Sequence, residues 1–246
     1  MARPQWSIIV TTYKRPERLR GTLAKIAEAI TAVDAEVLIA DDDPEGSASP
    51  VAAEYPRFGY RRNEANLGTV GNINDGVIRS EGLLIHWCAD DDWPEPGFYS
   101  AMWDAWLAHG PDLLHCGYRN HRDGVAHDMP LLAPSSGPLN PAAYTARLMF
   151  GNPTHMAATA FSRSLWSRCG GFDPAYPYLH DWHFLLQAGA LSRPYFVAER
   201  LANYSEHAGS MTRSDGAADA KQAEWAAMMP ALLEFYAATT PKGVGW

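Results

Sequence analysis

Short apolar runs alternate with amphipathic stretches through the first half of the chain. Runs rich in β-branched and aromatic residues predict strands at residues 6–11, 36–40, 59–62 and 83–88. The stretches between them predict helices at residues 16–32, 69–80 and 96–109. Leu19, Leu23 and Ile26 make the first helix the clearest, because apolar residues three and four apart share one helix face. Sustained to about residue 118, this alternation predicts an α/β fold with a mostly parallel central sheet flanked by helices.

The pattern changes after residue 118. Residues 120–141 are rich in Gly, Pro, Asp, His and Ser with little periodicity, which predicts a long loop or insertion. Beyond them the pattern predicts helices at residues 141–150, 181–189 and 220–238, strands at residues 157–161 and 195–198, and a mobile segment at residues 205–216. We therefore interpret the chain as one continuous domain with two halves, residues 1–118 and residues 119–246.

Composition and charge narrow the class of protein. The 246 residues are 47% hydrophobic and 20% charged, which is enough to build one large domain with a core. The formal net charge of −8 and the scattered Lys and Arg residues argue against duplex nucleic acid as a partner. The three cysteines form no CxxC pair, which favours a reducing compartment. Without a signal pattern or an apolar window of about 18 residues, we expect a soluble cytoplasmic protein with no transmembrane segment.

Three consecutive aspartates, Asp90, Asp91 and Asp92, follow the apolar run of the fourth predicted strand. Carboxylates this close raise one another's pKa unless a cation holds them, and hard oxygen ligands suit Mg²⁺ or Mn²⁺. In an arbitrary loop such a run is more often a solvated acidic turn. At a strand end of an α/β chain, where ligands bind, we interpret it as a metal site.

Two further groups of polar residues follow predicted strands. Asp41 and Asp42 come directly after the second strand, and the first strand ends in a segment that contains Thr11, Tyr13 and Arg15. Carboxylates accept hydrogen bonds from base N–H groups and ribose hydroxyls, and an aromatic ring stacks on a base, so this edge is predicted to bind a nucleotide. Neither GxxxxGK nor GxGxxG occurs, so we expect a metal to hold the diphosphate.

Four segments together resemble a known family. In chain order they read SIIVTTYKRPERLRGTL, VLIADDDPEG, NLGTVGNINDGVIRSEGLLIHWCADDDW and GGFDPAYPYLHDWHFLLQ. This order is similar to that of the inverting family 2 glycosyltransferases, which have the glycosyltransferase-A fold, and the similarity spans roughly residues 5–215. The resemblance implies a single Rossmann-like domain that binds a UDP-, GDP- or dTDP-linked sugar in residues 1–118. Residues 119–246, with the C-terminal helix, would then bind the acceptor, and Mn²⁺ or Mg²⁺ would be the cofactor.

The resemblance implies roles for the nucleotide side of the site. Thr11 and Tyr13 would contact the base, and Asp42, alone or with Asp41, would accept a hydrogen bond from it. Asn66, Gly68 and Asn74 match the family segment that comes before the fourth predicted strand. In the family, a helix N-terminus in this segment faces the nucleotide. The family often has Arg before this last Asn, whereas this chain has Ile73, so a phosphate contact from that position is not carried over.

The resemblance also implies metal ligands. Aligned on the Trp that closes the run, Asp91 and Asp92 match the family's acidic pair, with Asp92 as a direct metal ligand and Asp91 as a ribose or metal contact. Ala89 stands where the family's first Asp does, and Asp90 with Asp92 forms a literal Asp-x-Asp, so Asp90 stays a candidate. His207 matches a late segment whose His closes over the diphosphate or completes the metal shell, and an incidental His in a loop is an equal alternative.

Asp181 matches the family's general base, with His180 in place of the usual Glu. Its alternative role is a first-turn acid favoured by the helix dipole.

Asn152 to His155 is interpreted as an Asn-Pro turn rather than an acceptor loop. Two other functions stay open: a non-catalytic nucleotide or carbohydrate-binding module, and a sugar-1-phosphate nucleotidyltransferase, although the latter's Gly-rich basic N-terminal loop is missing. The sequence identifies neither the acceptor nor the oligomeric state.

Overall fold

The structure, a computed structural model, describes residues 3–207, 209–210 and 215–239. Its strands are β1 (Trp6–Thr12), β2 (Ala35–Asp41), β3 (Gly59–Arg62), β4 (Leu84–Ala89), β5 (Trp93–Pro94), β6 (Leu113–Arg122), β7 (Val125–Asp128), β8 (Gly137–Pro138), β9 (Thr159–Ser162) and β10 (Pro194–Glu206). Its helices are α1 (Pro16–Ala29), α2 (Ser49–Ala52), α3 (Gly68–Arg79), α4 (Phe98–His109), α5 (Pro141–Phe150), α6 (Arg163–Cys169), α7 (His180–Leu191) and α8 (Ala217–Thr239), with a 3₁₀ helix at Met156–Ala158.

The described strands form one mixed sheet in the order β3-β2-β1-β4-β9-β6-β10-β5, with β7 beside β6 and β8 beside β10. One parallel group consists of β3, β2, β1 and β4. A second consists of β6 and β10. Strand β9 is antiparallel to both of its neighbours and joins the two groups. The predicted α/β fold with a helix-flanked central sheet is confirmed, and "mostly parallel" describes it approximately.

Strand β1 lies at the centre of the parallel group, and every one of its residues is buried. A strand covered on both faces is typically a near-continuous apolar run, which explains the consecutive residues Ile8, Ile9 and Val10. Ile8 packs in the core that contains residues of α1 and α4, while Ile9 packs in the core that contains residues of α3 and α7. A Cβ at Gly76 of α3 would lie 2.5 Å from Ile9 Cγ2, so this glycine lets the helix approach the strand closely.

The parallel pairing of β1 with β2 and β4 brings three strand ends to one edge of the sheet. Thr12 is in register with Asp41 of β2, and Thr11 is in register with Ala89 of β4. The polar segment after β1 therefore lies between the two acidic clusters. Because β4 ends at Ala89, the carboxylates of Asp90 to Asp92 begin at this same edge.

The loop predicted for residues 120–141 is wrong at its start, where the chain forms a β-hairpin, whereas residues 129–136 lie in neither a helix nor a strand. Strand β6 continues to Arg122 and pairs antiparallel with β7 through a hairpin turn. Asp123 and Gly124 form the turn with φ values of 52° and 79°. Positive φ at both turn residues is the geometry that matches the right-handed twist of a hairpin, and Asp-Gly favours it. The Asp123-Gly124 pair therefore marks a hairpin in the sequence, although the residues around it show little periodicity.

Strand β10 is longer than the predicted strand at residues 195–198. It pairs with β6 from Pro194 to Glu206, with register shifts around Arg200 that interrupt the expected alternation. Ser205 and Glu206, placed in the predicted mobile segment, belong to this strand, while residues 208 and 211–214 of that segment lie outside the described residues. Within the described ranges, no helix has both the length and the apolar character needed to cross a membrane.

Candidate active site

A cavity of about 200 Å³ opens where the carboxyl ends of β1, β2 and β4 meet. Residues of both halves of the chain line it, including Thr11, Thr12, Tyr13, Arg15, Asp42, Trp87, Asp91, Asp92, His155, Tyr178, His180, Asp181, Tyr204 and Ser205. The structure thus brings seven of the residues predicted from the sequence around one space: Thr11, Tyr13, Arg15, Asp42, Asp91, Asp92 and Asp181.

The end of β1 presents a hydroxyl and an aromatic ring to the cavity. Trp87 Nε1 donates a 2.9 Å hydrogen bond to Thr11 Oγ1, which fixes the hydroxyl and leaves its proton to donate elsewhere. The Tyr13 side chain is 43% exposed, and the Lys14 ammonium lies 5.2 Å from its ring centroid. A half-exposed ring at the cavity provides a stacking surface for a planar ligand.

Asp42 is held at the cavity wall by a buried amide network. Its Oδ1 accepts 2.8 Å hydrogen bonds from Asn63 Nδ2 and from the Leu67 backbone N–H. Asn63 also donates to Asn72 Oδ1, and Asn72 donates to the Ala40 carbonyl, each at 2.9 Å. Because the network ties the Asp42 side chain to β2 and α3, the carboxylate keeps one orientation. The sequence did not single out Asn63 or Asn72.

Asp41, although adjacent to Asp42, does not line the cavity. Its side chain is fully buried, and Oδ2 accepts hydrogen bonds from Tyr60 Oη at 2.9 Å and from the Ala48 N–H at 3.0 Å. Its Oδ1 accepts from the Asp43 N–H at 3.1 Å. This carboxylate therefore shapes the segment that follows β2. Burial, and next the bond to Asp41, raise the pKa of Tyr60 to about 12.

Asn66, Gly68 and Asn74, which were predicted to contact the nucleotide, do not line the cavity. Asn66 Oδ1 accepts a 3.0 Å hydrogen bond from the Gly68 N–H, and Gly68 begins α3 with a φ of 71°. Asn74 Nδ2 donates to the Phe172 carbonyl at 2.7 Å, and Asn74 Oδ1 accepts from the Phe172 N–H at 3.0 Å. Asn74 therefore links α3 to the turn at Gly170, Gly171 and Phe172, and both polar groups of its side chain make this link.

We expect Asn74→Ala to lower the free energy of unfolding by about 1–3 kcal/mol, because the Phe172 backbone groups lose their partners. Nucleotide affinity should be unchanged. Urea denaturation and a nucleotide titration measure the two quantities. A fall in nucleotide affinity at unchanged stability would instead favour the direct contact that the family resemblance implies.

Asp90 lies beneath the cavity and anchors Arg15. The side chain is fully buried, Thr12 Oγ1 donates to Oδ2 at 2.6 Å, and Arg15 Nη2 lies 3.1 Å from Oδ1. Burial raises the pKa of Asp90 to about 6, against the opposing effect of the Arg15 charge. Asp90 thus orients the guanidinium that reaches the cavity.

Asp91 joins Arg15 and His207 at the cavity. Arg15 Nη1 lies 2.9 Å from Asp91 Oδ2, so one guanidinium bridges Asp90 and Asp91. His207 Nε2 lies 2.7 Å from the same Asp91 oxygen. His207, predicted as a possible metal ligand, is therefore placed at the acidic run by the tertiary structure.

Asp92 is buried at the floor of the cavity. Its Oδ1 accepts a 2.9 Å hydrogen bond from the Ser205 N–H, while Oδ2 lies 3.9 Å from His155 Nδ1. Burial and next the negative charge of Asp91 raise the pKa of Asp92 well above its ordinary value. Burial also lowers the pKa of His155 to about 4, so the 3.9 Å approach is not a salt bridge at neutral pH. A carboxylate destabilised in this way favours a nearby cation.

The donor set fits Mg²⁺ or Mn²⁺. Asp91 and Asp92 supply carboxylate oxygens, the ligand type suited to these ions. His207 uses both ring nitrogens within the protein, because Nδ1 accepts a 3.0 Å hydrogen bond from the Gly209 N–H and Nε2 donates to Asp91 Oδ2. Within the described parts of the chain, no three His, Cys, Asp or Glu side chains are arranged as a complete metal cage. Mg²⁺ is commonly bound by one or two carboxylates together with substrate phosphates and water, so two carboxylates are compatible with such a site.

Asp181 lines the cavity from the second half of the chain. It lies in the first turn of α7, and its Oδ1 accepts a 2.7 Å hydrogen bond from the Trp182 N–H. The helix dipole stabilises a carboxylate at this end of the helix. Asp181 is therefore a first-turn acid that also lines the cavity, and its role as a general base stays a prediction.

The sequence missed the contribution of the Asn152 to His155 segment. Asn152 Oδ1 accepts hydrogen bonds from Thr154 N and Oγ1, so the expected turn is present. His155 follows it and lines the cavity, with its ring stacked on Tyr204 at a centroid separation of 3.9 Å. No periodicity marks His155, because its partner comes from β10.

The mixed α/β sheet, with an acidic cluster and a helix-borne carboxylate at one edge, is the architecture expected of the glycosyltransferase-A fold. Residues 7–165, more than half of the chain, match the family model described as Glycosyl transferase family 2. The chain therefore belongs to this family, and the resemblance is confirmed; the match contains the first three of the four sequence segments, and the fourth, at residues 170–187, lies beyond it. No curated protein sequence matches the chain.

Solved structures of S. aureus TarS share the fold. TarS 1-349 in complex with UDP superposes with a TM-score of 0.77 and 14% identity over 97% of this chain and 67% of that chain. The complex with UDP-GlcNAc gives a TM-score of 0.73 and 14% identity over 97% and 74%. The longer S. aureus TarS structure gives 0.71 and 15% identity over 94% of this chain and 43% of that chain. At such identities the likeness is one of fold.

Proposed function

We propose that this protein transfers a sugar from a nucleotide diphosphate sugar to an acceptor hydroxyl, with inversion at the anomeric carbon. One observation carries the proposal: a single cavity is lined by Asp91 and Asp92 from the end of β4 and by Asp181 from α7. A leaving diphosphate needs positive charge on one side, and an attacking hydroxyl needs a base on the other. Membership of glycosyl transferase family 2 supports the same chemistry.

The nucleotide would lie along the ends of β1 and β2. Tyr13 would stack on the base, and Thr11 and Asp42 would hydrogen-bond to the nucleoside, since all three line the cavity in that region. The TarS 1-349 complexes contain UDP and UDP-GlcNAc, which makes a uridine nucleotide the first choice over GDP and dTDP.

The diphosphate would lie over the acidic run. Asp92, with Asp91, would hold Mg²⁺ or Mn²⁺, which when bound supplies positive charge to the leaving diphosphate, and His207 would orient the Asp91 carboxylate through its Nε2–H. The Arg15 guanidinium, already 2.9 Å from Asp91 Oδ2, lies where it can contribute a second positive charge. The Arg15 guanidinium, which now pairs with the carboxylates of Asp90 and Asp91, would then also pair with a phosphate oxygen.

Asp181 would act as the general base. Its carboxylate accepts the proton of the acceptor hydroxyl while that oxygen forms a bond to the anomeric carbon. The bond from the anomeric carbon to the diphosphate oxygen breaks with its electron pair remaining on the diphosphate. Attack from the face opposite the leaving group inverts the anomeric configuration.

Thermal unfolding tests the donor site before the acceptor is known. We expect one of UDP, GDP or dTDP, free or sugar-linked, to raise Tm, and the rise to increase with Mn²⁺. A ligand present at 100 times its Kd stabilises the folded state by about 2.7 kcal/mol. ADP is the control of matched charge. If none of the nucleotides stabilises the protein with or without Mn²⁺, the proposed function is wrong.

A further inference from the structure

Two histidines of the cavity, His155 and His180, have no role in the chemistry described so far. Both line the same space as Asp181. Each makes one hydrogen bond through Nδ1 to the backbone, and that bond determines which ring nitrogen carries the proton. A role for these rings in binding depends on the proposed function and concerns the sugar that the site accepts.

The His180 ring presents an unused hydrogen-bond acceptor. Its Nδ1 lies 2.9 Å from the Pro177 carbonyl oxygen, and a carbonyl only accepts, so Nδ1 carries the proton. The neutral ring therefore has its lone pair on Nε2. This atom is buried and has no hydrogen-bond partner among the described residues, while the side chain is 3% exposed. Its surroundings are apolar, because Trp87 and Phe172 pack on the ring at centroid separations of 5.4 and 5.9 Å.

A buried acceptor without a partner costs free energy, and such atoms are uncommon in folded proteins. At the wall of a binding cavity, a ligand O–H group removes that cost. His180 precedes Asp181 in the first turn of α7, so a group bound there lies next to the proposed base. His180 is thus a lining residue of the cavity with a buried acceptor atom that no described residue satisfies.

His155 has the opposite tautomer. The Ala157 N–H donates a 3.2 Å hydrogen bond to His155 Nδ1, so the ring proton is on Nε2. Stacking on Tyr204, with an angle of 29° between the rings, fixes the plane in which that N–H points. Nδ1 also lies 3.9 Å from Asp92 Oδ2, which places the ring on the diphosphate side of the cavity.

We propose that His155 and His180 form a donor–acceptor pair that selects a neutral, hydroxylated sugar between the diphosphate and Asp181. His155 Nε2–H donates to one sugar oxygen, and His180 Nε2 accepts from one sugar hydroxyl. A carboxylate in place of that hydroxyl would face the His180 lone pair with no proton between them. The site therefore disfavours nucleotide-linked uronic acids and favours neutral hexoses or their N-acetyl derivatives.

Substitution of a histidine by Asn or Gln tests the roles of its two ring nitrogens one at a time. His180→Gln places an amide oxygen near the position of Nε2 and loses the bond to Pro177, whereas His180→Asn keeps a donor for Pro177 and loses the acceptor. His155→Asn keeps an acceptor for the Ala157 N–H and loses the donor. His127→Asn, on the exposed strand β7, is the control for the same chemical change.

The measurement is the affinity for a nucleotide sugar relative to its parent nucleotide, by calorimetry with Mn²⁺. The probes are UDP-GlcNAc and UDP, or the GDP or dTDP pair if the thermal panel selects it. We expect His155→Asn and His180→Asn to weaken UDP-GlcNAc binding about tenfold at unchanged UDP affinity, the size of one lost hydrogen bond. His180→Gln should restore most of it, and UDP-glucuronate should bind the unaltered protein about tenfold more weakly than UDP-glucose.

The outcomes separate the two proposals. If UDP, GDP and dTDP all fail to bind the unaltered protein, the proposed function is overturned together with this inference. If a nucleotide binds but both Asn variants keep full affinity for its sugar form, the histidine pair alone is refuted. A loss in His180→Gln that equals or exceeds the loss in His180→Asn would assign His180 a purely structural role and refute its part in selection.

Discussion

Replacing Asp181 with Asn is expected to lower the rate of sugar transfer by roughly 10²- to 10⁴-fold while nucleotide affinity stays unchanged. The amide oxygen of Asn can still accept the Trp182 N–H that Asp181 Oδ1 accepts at 2.7 Å, so the first turn of α7 is preserved. What is lost is the ability to take up a proton at neutral pH. A transfer assay and a nucleotide titration on the same preparation measure the two effects.

Asp173→Asn is the matched control for this change. Asp173 Oδ1 accepts a 2.9 Å hydrogen bond from the Ala175 N–H, which is the same kind of local backbone contact outside the cavity lining. The control variant should transfer sugar at the unaltered rate. Unimpaired transfer by Asp181→Asn would remove Asp181 as the base, and a protein that binds nucleotide sugars without transferring them would support the binding-module alternative.

Asp92→Asn should abolish the metal-dependent part of nucleotide binding. Loss of one charge-assisted contact to the cation weakens binding by about 1.5–3 kcal/mol, or roughly 10- to 150-fold. The folded state without metal should be no less stable. Burial and the Asp91 charge raise the pKa of Asp92, which means that the ionised side chain is unfavourable in the folded state, and the substitution removes that charge.

Nucleotide titrations with and without Mn²⁺, together with thermal unfolding, measure both consequences. Asp104→Asn, on the exposed face of α4, is the control and should leave both quantities unchanged. The hydrogen bond from the Ser205 N–H to Asp92 Oδ1 is not what the substitution removes, because an amide oxygen can still accept it. Equal Mn²⁺ dependence in the variant and the unaltered protein would show that Asp92 is not the metal ligand.

Elements with strong local patterns were predicted well from the sequence. Helix α1 has the spacing of Leu19, Leu23 and Ile26 and a Pro at its start, and all three apolar side chains are buried. Strand β1 is a buried apolar run between parallel neighbours. The β6–β7 hairpin was missed because its short, exposed second strand has no apolar face, although Asp123-Gly124 marks the turn.

The adjacent residues Asp41 and Asp42 show where sequence reasoning on the site stops. Successive residues of an extended chain point to opposite sides, so only one of two neighbours faces a given cavity. The choice depends on Tyr60 of β3, which holds the carboxylate of Asp41, and on Asn63, which holds that of Asp42. The sequence alone therefore could not assign different positions to the two carboxylates.

Periodicity and residue type are local properties, so they establish the order of strands and helices around β1 and the chemistry at the carboxyl ends of those strands. Which groups meet at that edge depends on contacts between distant parts of the chain. Asp91 contacts His207, 116 residues away, and Asp92 contacts Ser205, 113 residues away, because β10 runs beside β6 and returns its end to the acidic run. His155 belongs to the site for the same reason, since its stacking partner Tyr204 is carried by that strand.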